Sequence, residues 1–233
     1  MRGTFYGIGV GPGNPELLTI KAANILKTVD VIIAPKTEKK EGSVAFNIAK
    51  PYLRDDIEIV YQVFPMVKGF ADNNSDAWEQ NKNEIVALLD AGKNVAFLTL
   101  GDAMFYSTYI YVFRLLEKAG IPIKTIPGIP AFVAIGSHLN WPIVEGDDVL
   151  SVIPATASPE RVKEAIKAAD NVVIMKVYKN FAEIAETLKE CDMIDKAVMV
   201  SRCGLPDEER IDDIETRAQK PVNYLSTVLA RKR

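Results

Sequence analysis

Along the chain, short apolar runs of strand length give way in turn to longer segments whose apolar residues recur at three- and four-residue spacing. That alternation reads as strands interleaved with amphipathic helices. In the first half it predicts strand Thr4 to Gly9, helix Glu16 to Thr28, strand Val31 to Ala34, helix Ser43 to Lys50 and strand Ile57 to Val63. Helix Asp76 to Ala91, strand Val95 to Leu100, helix Ser107 to Ala119 and strand Ile123 to Ile126 follow. Gly92 and Gly120 stand where glycines commonly end helices. The second half predicts helices Ala131 to Leu139, Pro159 to Ala168 and Phe181 to Glu190. Between and after them fall strands Val149 to Ile153, Val172 to Lys176 and Ala197 to Ser201, and a closing strand Tyr224 to Ala230. The pattern is that of an α/β protein, with a domain boundary between Gly120 and Gly128. It gives an N-terminal α/β domain of residues 1–122 and a C-terminal one of 123–233.

The first predicted strand runs into Gly7-Ile8-Gly9-Val10-Gly11-Pro12-Gly13-Asn14-Pro15, with four glycines in seven residues. Bare backbone at that density bends sharply or comes very close to something. Asn14 suits an N-cap and Pro15 a first helical turn, so a strand, a tight loop and a helix start are adjacent. A dinucleotide fingerprint would need glycines at its first, third and sixth positions and an acid at the tip of the next strand. Counting from Gly7 the sixth position is Pro12, counting from Gly9 it is Asn14, and the second strand ends in Pro35-Lys36. A pyrophosphate site is therefore not the reading of this loop.

A second loop, Leu100-Gly101-Asp102-Ala103-Met104-Phe105-Tyr106-Ser107-Thr108, follows a buried strand and precedes a helix. It lies at the carboxyl edge of the sheet, where open α/β folds bind ligands. Asp102 alone reads as a helix cap; two glycine loops at one edge favour a ligand. Two connections are long for compact α/β units, Lys36 to Gly42 and Phe64 to Ser75. Their lysines, Lys36, Lys39, Lys40 and Lys68, read equally as solvated charge and as arms for an acidic substrate.

Composition narrows the function. The 233 residues are 48% hydrophobic and 25% charged, ordinary globular material able to bury a core. The net charge of −3 and pI near 5.4 disfavour general nucleic-acid binding, which needs clustered Lys and Arg. No apolar run of membrane-spanning length and no secretory signal pattern is present, so a cytoplasmic protein is expected. Two cysteines and one histidine, with no CxxC, indicate neither a disulfide framework nor a metal site. His138 reads as a cap or structural hydrogen-bonder, Cys203 as a small packing residue and Asp207 to Arg210 as a solvated turn. Phe105-Tyr106 and Tyr109-Ile110-Tyr111 read partly as an aromatic wall and partly as core.

Four stretches in order, Gly7 to Thr19, Gly101-Asp102, Pro127-Gly128-Ile129 and Ser201-Arg202-Cys203-Gly204, resemble the signature of the tetrapyrrole (corrin/porphyrin) methylases over essentially the whole chain. Gly101 to Thr108, Ser137 to Pro142 and Met175 to Asn180 look most like the precorrin-2 C20-methyltransferase branch, cobalt-dependent or cobalt-free. The resemblance implies a homodimer of two α/β domains with S-adenosylmethionine in the cleft between them and S-adenosylhomocysteine as product. It implies Pro12, Leu100, Gly101, Asp102, Phe105, Pro130, Ala131, Met175 and Gly204 as cofactor contacts. The family commonly has Pro where Ala103 stands and Ser or Thr where Pro130 stands; the latter change removes a hydroxyl and a backbone donor.

A sulfonium methyl donor is already activated, so the protein must align it and exclude water, without a nucleophile or a metal. That agrees with the lack of any Cys–His or Ser–His–Asp set. Asp102 is the candidate for orienting the donor or accepting the proton released by the acceptor. Lys36, Lys68, Lys176 and Lys179 are candidates for the carboxylates of a tetrapyrrole substrate. Methylation of another ring carbon, or of RNA or protein, is the alternative within the superfamily. A non-catalytic nucleotide-binding module is the alternative outside it.

Overall fold

A computed structural model describes residues 1–36, 42–64 and 76–232. The chain divides into two compact units, Met1–Pro130 and Ala131–Arg233. The first unit holds five strands: β1 (Phe5–Gly9), β2 (Val31–Lys36), β3 (Glu58–Val63), β4 (Val95–Thr99) and β5 (Ile123–Ile126). All pair in parallel, in the order β3-β2-β4-β1-β5. β5, which the sequence reading assigned to the second domain, pairs along its whole length with β1.

Helices cover both faces of this sheet. α1 (Ile20–Leu26) and α2 (Val44–Ala49) pack Ala22, Leu26, Ala45 and Ile48 against Ile8, Ile32 and Leu98. α3 (Asp76–Asp90) and α4 (Tyr109–Lys118) pack Ile85, Leu89, Tyr109 and Leu116 against Phe5, Ile33 and Phe97 on the other face. The helices that follow the adjacent strands β1 and β4 thus leave to opposite faces. That is a topological switch point, where an open α/β sheet forms its ligand crevice at the carboxyl ends of the strands.

The helix expected from Glu16 is interrupted. Asn14 caps a short 3₁₀ turn, Pro15–Leu17, through a 2.9 Å bond from the Glu16 N–H to its side chain. Leu18 and Thr19 are then extended, and the Thr19 hydroxyl accepts from the Ala22 N–H to start α1. Two capping residues five apart split one apolar period into two elements.

The second unit is built on β6 (Leu150–Pro154), β7 (Asn171–Met175), β8 (Ala197–Ser201), β9 (Glu209–Ile211) and β10 (Ser226–Arg231), in the order β6-β7-β10-β8-β9. β10 runs antiparallel to both neighbours, so this sheet is mixed. α6 (Pro159–Ala168) and α7 (Phe181–Glu190) cover one face through Val162, Ile166, Ile184 and Leu188. α5 (Ala131–His138) packs on β10, and α8 (Ile214–Arg217) follows β9. The turn expected at Asp207 to Arg210 ends in a strand: β9 pairs with β8 from Glu209 onward. Its three residues carry two charges, so the apolar alternation that marks a strand is missing, and pairing alone makes it one. No helix among the described residues is long and apolar enough to cross a membrane.

Gly7 shows why one glycine of the first loop is fixed by packing. A Cβ there would lie 2.0 Å from the ring of Tyr109, which is fully buried and hydrogen-bonded to Thr125 Oγ1 at 2.6 Å. Of the expected aromatic wall, Tyr109 is therefore core, and Tyr111 meets the buried Trp78 edge-on at 5.9 Å. Gly7→Ala is expected to cost about 1–3 kcal/mol or more in urea denaturation, by overpacking. Tyr109→Leu in the same chain should recover part of that loss, and a Gly7→Ala protein of wild-type stability would contradict the packing argument.

Candidate functional site

The loops that leave β1 and β4 are zipped together. Gly11 and Gly101 exchange backbone hydrogen bonds of 3.2 and 2.8 Å, and the Val10 N–H donates to the Thr99 carbonyl at 2.9 Å. Gly11 has φ of 78° and Gly101 of 73°, values an L side chain adopts only with strain. A third loop, after β5, lies on these two. A Cβ on Gly9 would fall 2.6 Å from the Gly128 nitrogen, and one on Gly128 would fall 2.2 Å from the Gly101 carbonyl oxygen. The glycines here let three stretches of protein backbone touch.

Asp102 locks the arrangement. Its Oδ2 accepts from the Gly128 N–H at 2.9 Å and its Oδ1 from the Met104 N–H at 2.8 Å. One carboxylate thus shapes its own loop and ties it to the Pro127-Gly128-Ile129 turn. Each oxygen retains further acceptor capacity, because an ionised carboxylate offers about four lone-pair sites. Ala103, at the position where the family commonly has Pro, is fully buried. Around this clasp the structure brings together Pro12 and Gly101, both buried, with the half-buried Leu100, Phe105 and Pro130. Thr99 was missed by sequence reasoning. Its hydroxyl, one residue before Leu100, is buried and makes no hydrogen bond among the described residues. An orphaned buried hydroxyl costs about 1–3 kcal/mol, so a polar ligand or a bound water at the switch point fits the site.

In the second unit, the candidates sit at strand ends. Met175 closes β7, and Lys176 follows it in the left-handed region with φ of 61°. Burial pushes the Lys176 ammonium below its ordinary range. Gly204 lies in the loop after β8, where Arg202 is also left-handed, with φ of 56°. Glu208 accepts the Gly204 N–H, at 2.5 Å. The other Glu208 oxygen is 3.3 Å from His138 Nε2, so the chain's one histidine joins this loop as a structural partner. Cys203 is buried beneath it; burial first and the neighbouring Glu208 second push its thiol up to about 12. Ala131 opens α5, next to the Pro130 that ends the first unit. Lys36 ends β2 with its ammonium 5.9 Å from the centre of the Tyr61 ring. Lys39, Lys40, Lys68 and the side chain of Lys179 lie outside what is described.

A profile of the Tetrapyrrole (Corrin/Porphyrin) Methylases matches residues 4–216. The chain belongs to this family. It is 35% identical over 235 residues to the cobalt-precorrin-2 C(20)-methyltransferase of Salmonella typhimurium, covering 100% of this chain and 98% of that one. It is 32% identical over 234 residues to the precorrin-2 C(20)-methyltransferase of a Sinorhizobium species, covering 97% and 94%. Among solved structures, the uroporphyrin-III C-methyltransferase of Thermus thermophilus, complexed with S-adenosylhomocysteine, superposes with a TM-score of 0.74. That likeness covers 99% of this chain and 98% of the other at 18% identity, and carries the fold alone. The two-unit α/β architecture is thus the family's.

Two outcomes test the site's construction. Asp102→Ala leaves the Gly128 and Met104 N–H groups without their acceptor and should destabilise the protein by about 1–3 kcal/mol. Asp102→Asn, which keeps one carbonyl oxygen, should lose less; equal stability of all three proteins in urea would mean the clasp holds nothing. Iodoacetamide at pH 8 should modify the half-buried Cys191 well before Cys203, read by peptide mass. The raised Cys203 thiol favours the fold fully below the unfolded thiol's ordinary value near 9, and that contribution is lost as pH rises toward 12. Rapid labelling of both cysteines would contradict the burial of Cys203.

Proposed function

We propose that the chain is an S-adenosylmethionine-dependent C-methyltransferase that methylates precorrin-2 or cobalt-precorrin-2 at C20, a step of cobalamin biosynthesis. The observation that carries this reading is the end-to-end similarity to a relative named for that reaction, 35% over all of this chain and 98% of the relative. The switch-point loops support it, because they supply a rigid, polar-edged backbone surface and no nucleophile. In this reading the protein works as a cytoplasmic homodimer.

The methyl donor, when bound, supplies an activated methyl on a sulfonium sulfur. The protein's task is then to hold, align and desolvate. Pro12, Leu100, Gly101, Asp102, Phe105, Pro130, Ala131, Met175 and Gly204 hold the donor and afterwards S-adenosylhomocysteine. Because Pro130 has no N–H and no hydroxyl, polar contacts near it fall to neighbours, and the unpartnered Thr99 hydroxyl is the nearest in sequence to Gly101. Methylation of a ring carbon releases one proton. Asp102, with acceptor capacity left after its two backbone bonds, orients the donor or takes that proton. Lys36, Lys68, Lys176 and Lys179 meet the substrate's carboxylates.

Incubation with labelled S-adenosylmethionine and either precorrin-2 or cobalt-precorrin-2 tests this reading by product mass. A single added methyl at C20, with one ring form preferred, is the expected result. Donor binding without transfer to either ring would leave a binding module and overturn the proposal. Transfer to another ring carbon would move the chain elsewhere in the family.

A further inference from the structure

The loop after β4 leaves two large apolar side chains in the open: Met104 is 49% exposed and Tyr106 is 40% exposed, while Ala103 is completely buried. Tyr106 also has φ of 48°, in the left-handed region, where a bulky side chain is an outlier. Glycine or asparagine would take that conformation at less cost. The loop around it is over-determined, as a strained residue requires. Asp102 Oδ1 accepts the Met104 N–H, the Ser107 hydroxyl donates to the Ala103 carbonyl, and Tyr109 is fixed in the core two residues on. The Phe105 ring meets that of Tyr106 edge-on, with centroids 4.8 Å apart and planes at 65°. Burial pushes the Tyr106 phenol up, so it is neutral across the physiological range.

A strained, clamped and neutral aromatic ring at the carboxyl edge of β4 suits an acceptor with a flat conjugated face and its charge at the rim. We propose that Tyr106 is a substrate-binding residue that stacks on the conjugated face of the tetrapyrrole, with Met104 adding apolar contact. This rests on the function proposed above. Stacking on the face leaves the rim carboxylates to cations elsewhere, and it is favourable for an offset aromatic pair. The backbone strain then has a function: it turns a ring outward at a position where packing alone would select a small residue.

The test is anaerobic fluorescence titration with precorrin-2 and cobalt-precorrin-2, beside calorimetry with S-adenosylhomocysteine. Tyr106→Asn and Tyr106→Gly both accept the left-handed backbone, so either should fold with a thermal midpoint at least that of the wild type. Each should weaken tetrapyrrole binding by about tenfold while S-adenosylhomocysteine affinity stays within about twofold. Tyr106→Phe should retain tetrapyrrole affinity. Tetrapyrrole affinity unchanged in both ring-less variants overturns the proposal, as does a parallel loss of S-adenosylhomocysteine affinity, which would put the ring on the donor. A wild-type protein that binds S-adenosylhomocysteine and neither tetrapyrrole overturns the substrate reading itself, and this proposal with it.

Discussion

The contact on which the first unit depends is the meeting of three backbones at Gly9, Gly101 and Gly128. A Cβ on Gly9 or Gly128 would collide there, and Gly101 is held by its φ of 73°. The Gly11–Gly101 hydrogen-bond pair and the two bonds to Asp102 then fix the three loops as one body. Bonds of this kind are worth about 0.5–1.5 kcal/mol each, more where an ionised acceptor is involved. In the function proposed above, their value is rigidity. A donor whose chemistry is already activated gains from a surface that does not rearrange, and backbone in mutual contact is such a surface.

The second unit solves a similar problem with side chains. Glu208 accepts the Gly204 N–H as Asp102 accepts that of Gly128, so in each unit a carboxylate ties down a glycine of a strand-end loop. In the first unit Gly11 and Gly101 take the left-handed conformation beside the strand ends, and in the second Lys176 and Arg202 take it together with Gly204. Placing L residues at such turns costs free energy that glycine would avoid, and it puts Lys176 and Arg202, the latter ion-paired with Asp207, at strand ends. For a chain proposed to bind a polycarboxylate, that exchange is chemically coherent.

The strand–helix alternation was legible because β1, β2, β4, β7 and β8 are nearly all-apolar runs bounded by turn residues. β9 was not, because its charged residues form a strand only by pairing with β8. The first helix was misjudged in length because Thr19 competes as a cap with Asn14, a contest decided by local hydrogen bonds. Among candidate site residues, the ordered glycine and Gly-Asp motifs marked loops that meet at the carboxyl ends of β1, β4 and β5. Thr99 and Glu208 carried no such signal: a threonine at a strand end and a glutamate in an acidic run are common, and only their neighbours make them notable.

By itself the sequence determined the class of fold, the family, and which loops stand at the strand ends, since apolar period and glycine spacing are local properties. Tertiary structure alone decided what the glycines touch, which acid clasps which loop, and that β5 joins the first sheet. Those are relations between residues as far apart as Gly9 and Gly128, set by strand order and the pleat, and no local pattern encodes them.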